Sequence, residues 1–133
     1  MLTIGLLGHA CAAVGDGDRA ALLYEGLEPF AHRQQVAPCE ASLDSAARPL
    51  GELAATLGDV ERAARWFEQA AETDERSGAL PWVAHARRLH GELLLDTPDA
   101  AAAAPLLERA ATTYRALGME AWARRCTPAA APA

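Results

Sequence analysis

Apolar residues recur three and four positions apart over most of this chain, the spacing of helices that bury one face. In residues 1–14 the face is Ile4, Leu7, Cys11 and Val14. Gly15-Asp16-Gly17-Asp18 interrupts it and supplies capping oxygens. A second helix is expected over about 18–32, with Ala20, Leu23, Tyr24, Leu27 and Phe30 inward. Pro29 predicts a kink or an early end near Glu28. Residues 33–42 have no clean period and contain Pro38, so they read as the longest connection. Ser42 or Asp44 is then expected to cap a third helix. That helix either starts near Arg48, with Pro49 in its first turn, or bends at the proline.

Gly58-Asp59 marks the next turn. The fourth helix, 60–76, carries Val60, Ala63, Ala64, Phe67, Ala70 and Ala71 on one side, with Gly78 as its left-handed stop. Pro81 opens a fifth helix whose apolar side is Trp82, Val83, Ala86, Leu89 and Leu93. Thr97-Pro98 reads as an N-cap followed by proline at the first helical position. The sixth helix then runs to Leu117 through Ala103, Leu106, Leu107, Ala110, Ala111 and Tyr114, and Gly118 ends it. A short seventh segment, 120–125, carries Trp122. Residues 127–133 are rich in Pro and Ala and are expected to be a frayed tail.

The helices repeat in pairs. Leu7-Gly8, Gly15, Ala20 and Tyr24 form one register; Leu50-Gly51, Gly58, Ala63 and Phe67 a second; Gly91, Pro98, Ala103 and Leu107 a third, with His90 in place of the leucine. Gly8, Gly51 and Gly91 are 43 and 40 positions apart. Each column has a physical role. The glycine admits the second helix of its pair, the turn position breaks the helix, the alanine fits between neighbours and the large residue fills the layer. Such a unit cannot bury its own apolar face and must stack on the next.

These columns resemble the tetratricopeptide (TPR) repeat, in units longer than its usual 34 or so residues. More narrowly, LAATLGDVERAARWFEQAAE, GALPWVAHAR and the closing YRALGMEAWARR resemble the C-terminal helical tail of actinobacterial LuxR/MalT-type ATP-binding transcriptional regulators. The resemblance covers about residues 2–126 and implies an all-α, right-handed TPR-like solenoid of three helix–turn–helix units plus a short capping helix. The chain has no GxxxxGK[ST] phosphate loop and no helix-turn-helix after Arg125, so neither ATPase nor DNA-binding activity carries over. It reads as the terminal piece of such a regulator or as a small stand-alone relative.

Composition narrows the function. The 133 residues suit one domain, residues 1–126, followed by the tail. Hydrophobic residues make up 51%, much of it alanine, and aromatics only 5%, which suits closely packed helical layers. All 12 basic residues are arginine. A net charge of −6 argues against direct binding to nucleic acid or to an anionic membrane. No apolar window is long enough to span a bilayer, and the apolar start has no basic region before it, so a signal peptide is not expected. Cys11, Cys39 and Cys126 are an odd, widely spaced set without CxxC, which fits free thiols in the cytoplasm.

Candidate chemistry follows from the resemblance. The first helix of each TPR unit lines the concave surface, which would put His9, Arg48, Glu52, His85, Arg88 and Glu92 along a groove. Arg48/Glu52 and Arg88/Glu92 occupy matching columns, either as a strip that clamps a peptide or an acidic ligand or as two solvated i, i+4 pairs. Trp66 and Trp122 are candidate interface aromatics; the competing readings are that Trp66 packs on the next repeat and Trp122 covers the end of the stack. The acidic run Glu68, Glu72, Asp74 and Glu75 reads as a solvated face. No catalytic residue, metal site or cofactor is expected. The function so read is a protein-interaction or regulatory module whose partner is a protein, a peptide, the rest of a larger regulator or a second copy. The alternative is a small-molecule-binding protein or an unusual helical enzyme using the groove residues, recognisable if its histidines converge on one enclosed pocket.

Overall fold

The computed structural model describes residues 1–36 and 42–126, and the fold is all-α. Among the described residues seven helices follow in order: α1 (Leu2–Val14), α2 (Gly17–Leu27), α3 (Ala47–Thr56), α4 (Val60–Arg76), α5 (Leu80–Leu94), α6 (Ala103–Ala116) and α7 (Glu120–Arg125). Each packs on its successor, and α1 also lies against α3, and α3 against α5. Between α2 and α3 stands a small antiparallel hairpin, β1 (Gln34–Val36) and β2 (Ser42–Ser45), pairing Gln34 with Ser45 and Val36 with Ser42. Cys39, Pro38 and the tail 127–133 lie outside the described residues.

Local chemistry accounts for most helix ends. The Asp16 carboxylate accepts from Arg19 N at the start of α2, and that of Asp59 from Arg62 N at the start of α4. Each thereby satisfies a first-turn donor that the helix itself leaves open. Gly58 and Gly78 close α3 and α4 at φ of 78° and 70°, where a side chain would be strained. Pro49 sits in the first turn of α3, so the helix loses no interior backbone bond to it. α2 does end at Leu27, and a 3-10 turn at Glu28–Phe30 carries the proline.

The core is thin and alanine-rich. Ala20, Tyr24, Leu27, Leu50, Leu53, Ala54, Ala63 and Phe67 form its larger part; Ala84, Leu107, Ala110, Ala111, Tyr114 and Ala123 form a second body at the far end. The repeat columns become contacts in two of the three registers. A Cβ on Gly51 would stand 2.6 Å from the Phe67 ring, and one on Gly91 2.8 Å from Leu107. Gly8 differs: it faces Leu53 and Pro49 of α3 rather than Tyr24.

Several sequence expectations are corrected. The buried side of α1 runs through Gly5, Gly8 and Cys11, while Leu7 and Val14 are exposed, Val14 at 78%. The connection 33–42 contributes strand structure at both ends. The N-cap position of α3 is Ala46 rather than residue 42 or 44, and Ser45 Oγ accepts from Ala47 N. α6 starts at Ala103, after a 3-10 turn at Ala100–Ala102, so Thr97 caps only the turn, taking a bond from Asp99 N. Asp74 is fully buried and not part of a solvated acidic face.

Candidate functional site

The last turns of α1, α3 and α5 line one open groove with a volume of about 590 Å³. Its apolar walls are Ala12, Ala13, Ala55, Leu89 and Leu93, with Phe67 below; its polar groups are His9, Glu52, Glu92 and Thr56. Helical spacing explains the lining. Glu52, Ala55 and Thr56 are three and four apart on α3, as are Leu89, Glu92 and Leu93 on α5, so each set shares one face.

His9, Arg48 and Glu52 meet, and Asp44 joins them. His9 Nδ1 lies 2.7 Å from Glu52 Oε2 and its Nε2 3.3 Å from Asp44 Oδ2. Arg48 Nε donates to Asp44, and Arg48 Nη1 to Glu52 Oε1 at 3.3 Å. Burial works against a charged His9, but its hydrogen bonds to Asp44 and Glu52 outweigh that and hold its pKa above the ordinary value. Both ring nitrogens therefore donate, and the 3.3 Å approach of Arg48 Nη2 to Nε2 is a contact of like charges tolerated between two carboxylates. Burial likewise opposes charge on Asp44, and the hydrogen bond from His9 with the Arg48 charge brings it below the usual carboxylate range. Two cations face two anions, so the cluster is neutral.

His85 is elsewhere. It is buried among aromatics, with Tyr114 OH 2.8 Å from its Nδ1, Trp82 5.4 Å away and Trp122 4.6 Å away edge-on. Burial pulls its pKa down to about 4, helped by the charges of Arg48 and Arg88. The imidazole is neutral at pH 7. Arg88 Nη1 donates to both Glu92 oxygens at 2.5 and 2.6 Å. Its guanidinium lies 5.4 Å from the Trp122 ring, and that of Arg48 5.3 Å from Trp82. Both arginines are thus turned onto tryptophans and neither lines the groove. Trp122 packs on the Tyr114 cluster at the end of the helices. Trp66 is half-buried against the core, its Nε1 donating to Tyr24 OH at 2.7 Å.

A second buried polar site went unread in the sequence. Asp74 Oδ1 accepts from Ser45 N at 3.0 Å and Gln34 Nε2 at 3.1 Å, tying the hairpin to α4. Burial pushes Asp74 up to about 6. Asp44 is held by Gln35 Nε2 at 3.0 Å. The only available signal was the density of Gln, Asp and Ser around the connection, which is also what a solvated loop looks like.

Cys11 is buried, its Sγ 3.1 Å from Asp16 O, and Cys126 is a buried free thiol. Among the described residues no group of three His, Cys, Asp or Glu is placed to hold a metal ion, and no helix is long and apolar enough to cross a membrane. At the α1–α2 end a second, apolar surface is formed by Leu7, Ala10, Val14, Leu22 and Leu23.

The chain matches no protein-family model, no curated protein and no solved structure.

Proposed function

We propose that this chain is a non-catalytic protein-interaction module built as a TPR-like stack of three helical pairs with α7 as its cap. The observation that carries this reading is the groove itself. The first helices of the three pairs, α1, α3 and α5, all line it, and the second helices contribute only Phe67 from below. The stack is supported by the Gly51–Phe67 and Gly91–Leu107 contacts, made at the same spacing in successive pairs. It is supported too by the shared Asp16 and Asp59 capping of α2 and α4.

The groove is open rather than enclosed, which suits an extended peptide. The enzyme alternative needed His9 and His85 to converge, but His9 edges the groove and His85 lies in the aromatic cluster. In this reading the resemblance to regulator tails supplies the context: a sensor or scaffold segment that acts through a bound protein. The exposed Leu7, Val14 and Leu22 at the α1–α2 end suit docking onto neighbouring protein.

The test is a backbone-amide NMR screen against peptides of varied composition. The reading predicts that peptides which bind will shift Ala13, Ala55 and Leu93 together, and that Ala13→Trp, which fills the groove from an exposed position, will abolish those shifts. Shifts that map only to other surfaces would refute it.

A further inference from the structure

The row of helices has two open ends, and each presents apolar surface. At the first, Leu7, Val14 and Leu22 stand out from α1 and α2 at 52%, 78% and 72% exposure, around a depression of about 500 Å³. α1 itself holds no Asp, Glu, Lys or Arg, and its side away from α3 shows Leu6, Leu7, Ala10 and Val14. A helix apolar on every side is one that packs on every side. At the second end α7 is short. α5 packs along α4 with 15 residues, whereas α7, its counterpart on α6, has 6. Trp122 and Ala123 of α7 cover Ala110 and Tyr114, and the rest of α6 is left as a trough of about 440 Å³ walled by Leu95, Ala100, Ala104, Leu107 and Ala111.

The ends differ in shape and in sign. One offers leucine and valine, the other a floor made mostly of alanine. Residues 15–28 carry four carboxylates and one arginine, a net −3, and residues 103–126 carry four arginines and two glutamates, a net +2. Arg19 is already paired with Asp16, and Glu108 shares the trough with Arg115. Asp18 and Glu25, spaced to flank Leu22 on the exposed side of α2, join no ion pair among the described residues, nor do Arg115, Arg124 and Arg125.

We propose that the chain associates head to tail with a second copy of itself. The Leu7, Val14 and Leu22 face of one copy seats in the trough beside α7 of the next, with Asp18 and Glu25 set against Arg115, Arg124 and Arg125. Pairing like ends would oppose charges of one sign. The contact is heterologous, so it continues into a ring or a filament instead of closing at two copies. The inference rests on the interaction-module reading, gives its α1–α2 end an occupant and leaves the groove free.

Sedimentation velocity on the whole chain tests it. The average mass should rise with concentration past that of two copies and fall as salt is raised. Leu22→Arg sets a cation against the basic end, and Ala104→Glu fills the trough with an anion. Each alone should weaken association about 10-fold or more. Mixed one to one, the intact trough of the first and the intact α1–α2 face of the second should restore it. Both positions are exposed, and unchanged circular dichroism and melting temperature verify folding.

If Leu22→Arg alone abolishes association and mixing restores nothing, the α1–α2 ends pair two-fold and the head-to-tail inference is overturned. A wild type that stays monomeric at every concentration also overturns it, the faces then belonging to another chain. Neither result decides the groove reading: Ala13, Ala55 and Leu93 lie outside both faces, and their shifts in the peptide screen judge it separately.

Discussion

His9 Nδ1 and Glu52 Oε2 stand 2.7 Å apart although 43 positions separate them in the chain. The bond joins α1 to α3 and fixes one wall of the groove. Because the folded-state pKa of His9 is raised, its contribution is fully present below the unfolded value of 6.5 and is lost as pH rises through the folded value. His9→Gln should therefore cost most near pH 6, on the order of 1–3 kcal/mol, and least near pH 9. In an NMR titration Glu52→Gln should lower the His9 pKa; an unchanged midpoint would show that Glu52 does not hold the charge.

Asp74 and His85 oppose one another in acid. Asp74 is raised from 3.8 to about 6, so it adds stability at low pH that is lost as pH rises through 6. His85 is lowered from 6.5 to about 4, so it adds stability at neutral pH that is lost as pH falls from 6.5 through 4. Each displacement is worth on the order of 3 kcal/mol at most. Urea unfolding of the wild type should show little net contribution from this pair between pH 4 and 6.5. Asp74→Asn should expose the His85 slope and lose stability in acid relative to wild type. His85→Phe should expose the Asp74 slope and gain it. Parallel pH profiles for the three proteins would contradict both assignments.

Gly51→Ala and Gly91→Ala each drive a methyl group into the second helix of the pair, 2.6 Å from Phe67 and 2.8 Å from Leu107. Overpacking of this kind costs about 1–3 kcal/mol. Gly8→Ala meets Leu53 and Pro49 only at 3.3 Å and should cost less. Thermal melts should rank the three in that order, and Phe67→Leu should partly rescue Gly51→Ala but not Gly91→Ala.

Trp66 joins α4 to α2 through the 2.7 Å bond from its Nε1 to Tyr24 OH, which in turn donates to Glu28 at 3.0 Å. Trp66→Phe keeps the ring contact and removes the donor. It should destabilise the fold by about 0.5–1.5 kcal/mol. In the background of Tyr24→Phe the same change should cost markedly less, and a double-mutant cycle with no coupling would show that the bond contributes nothing.

The helices were legible because their causes are local. Asp59 caps α4 from its own first turn, Gly58 and Gly78 need their positive φ where they stand, and the period of Ala63, Phe67 and Ala70 belongs to one helix. The hairpin was not legible. Gln34, Gln35, Asp44 and Ser45 show no apolar alternation, and their strands are held by bonds to Asp74 and to each other that lie up to 40 positions apart. The face of α1 was misjudged for the same reason. Leu7 and Val14 are as apolar as a core position requires, but α3 approaches α1 along Gly8, where there is no side chain to keep it away.

Periodicity, breakers and caps, acting within a few residues, were enough to determine seven helices and the pairing columns of Gly51 with Phe67 and Gly91 with Leu107. Only the tertiary structure decided how charge is distributed over the groove. The same Arg48/Glu52 and Arg88/Glu92 spacing allows either member to face a ligand. The choice fell to Trp82 and Trp122, whose rings take up the arginines and leave the carboxylates on the open side. A side chain's sequence position sets its helix face, but the neighbour it leans on is set by helices that arrive later in the chain.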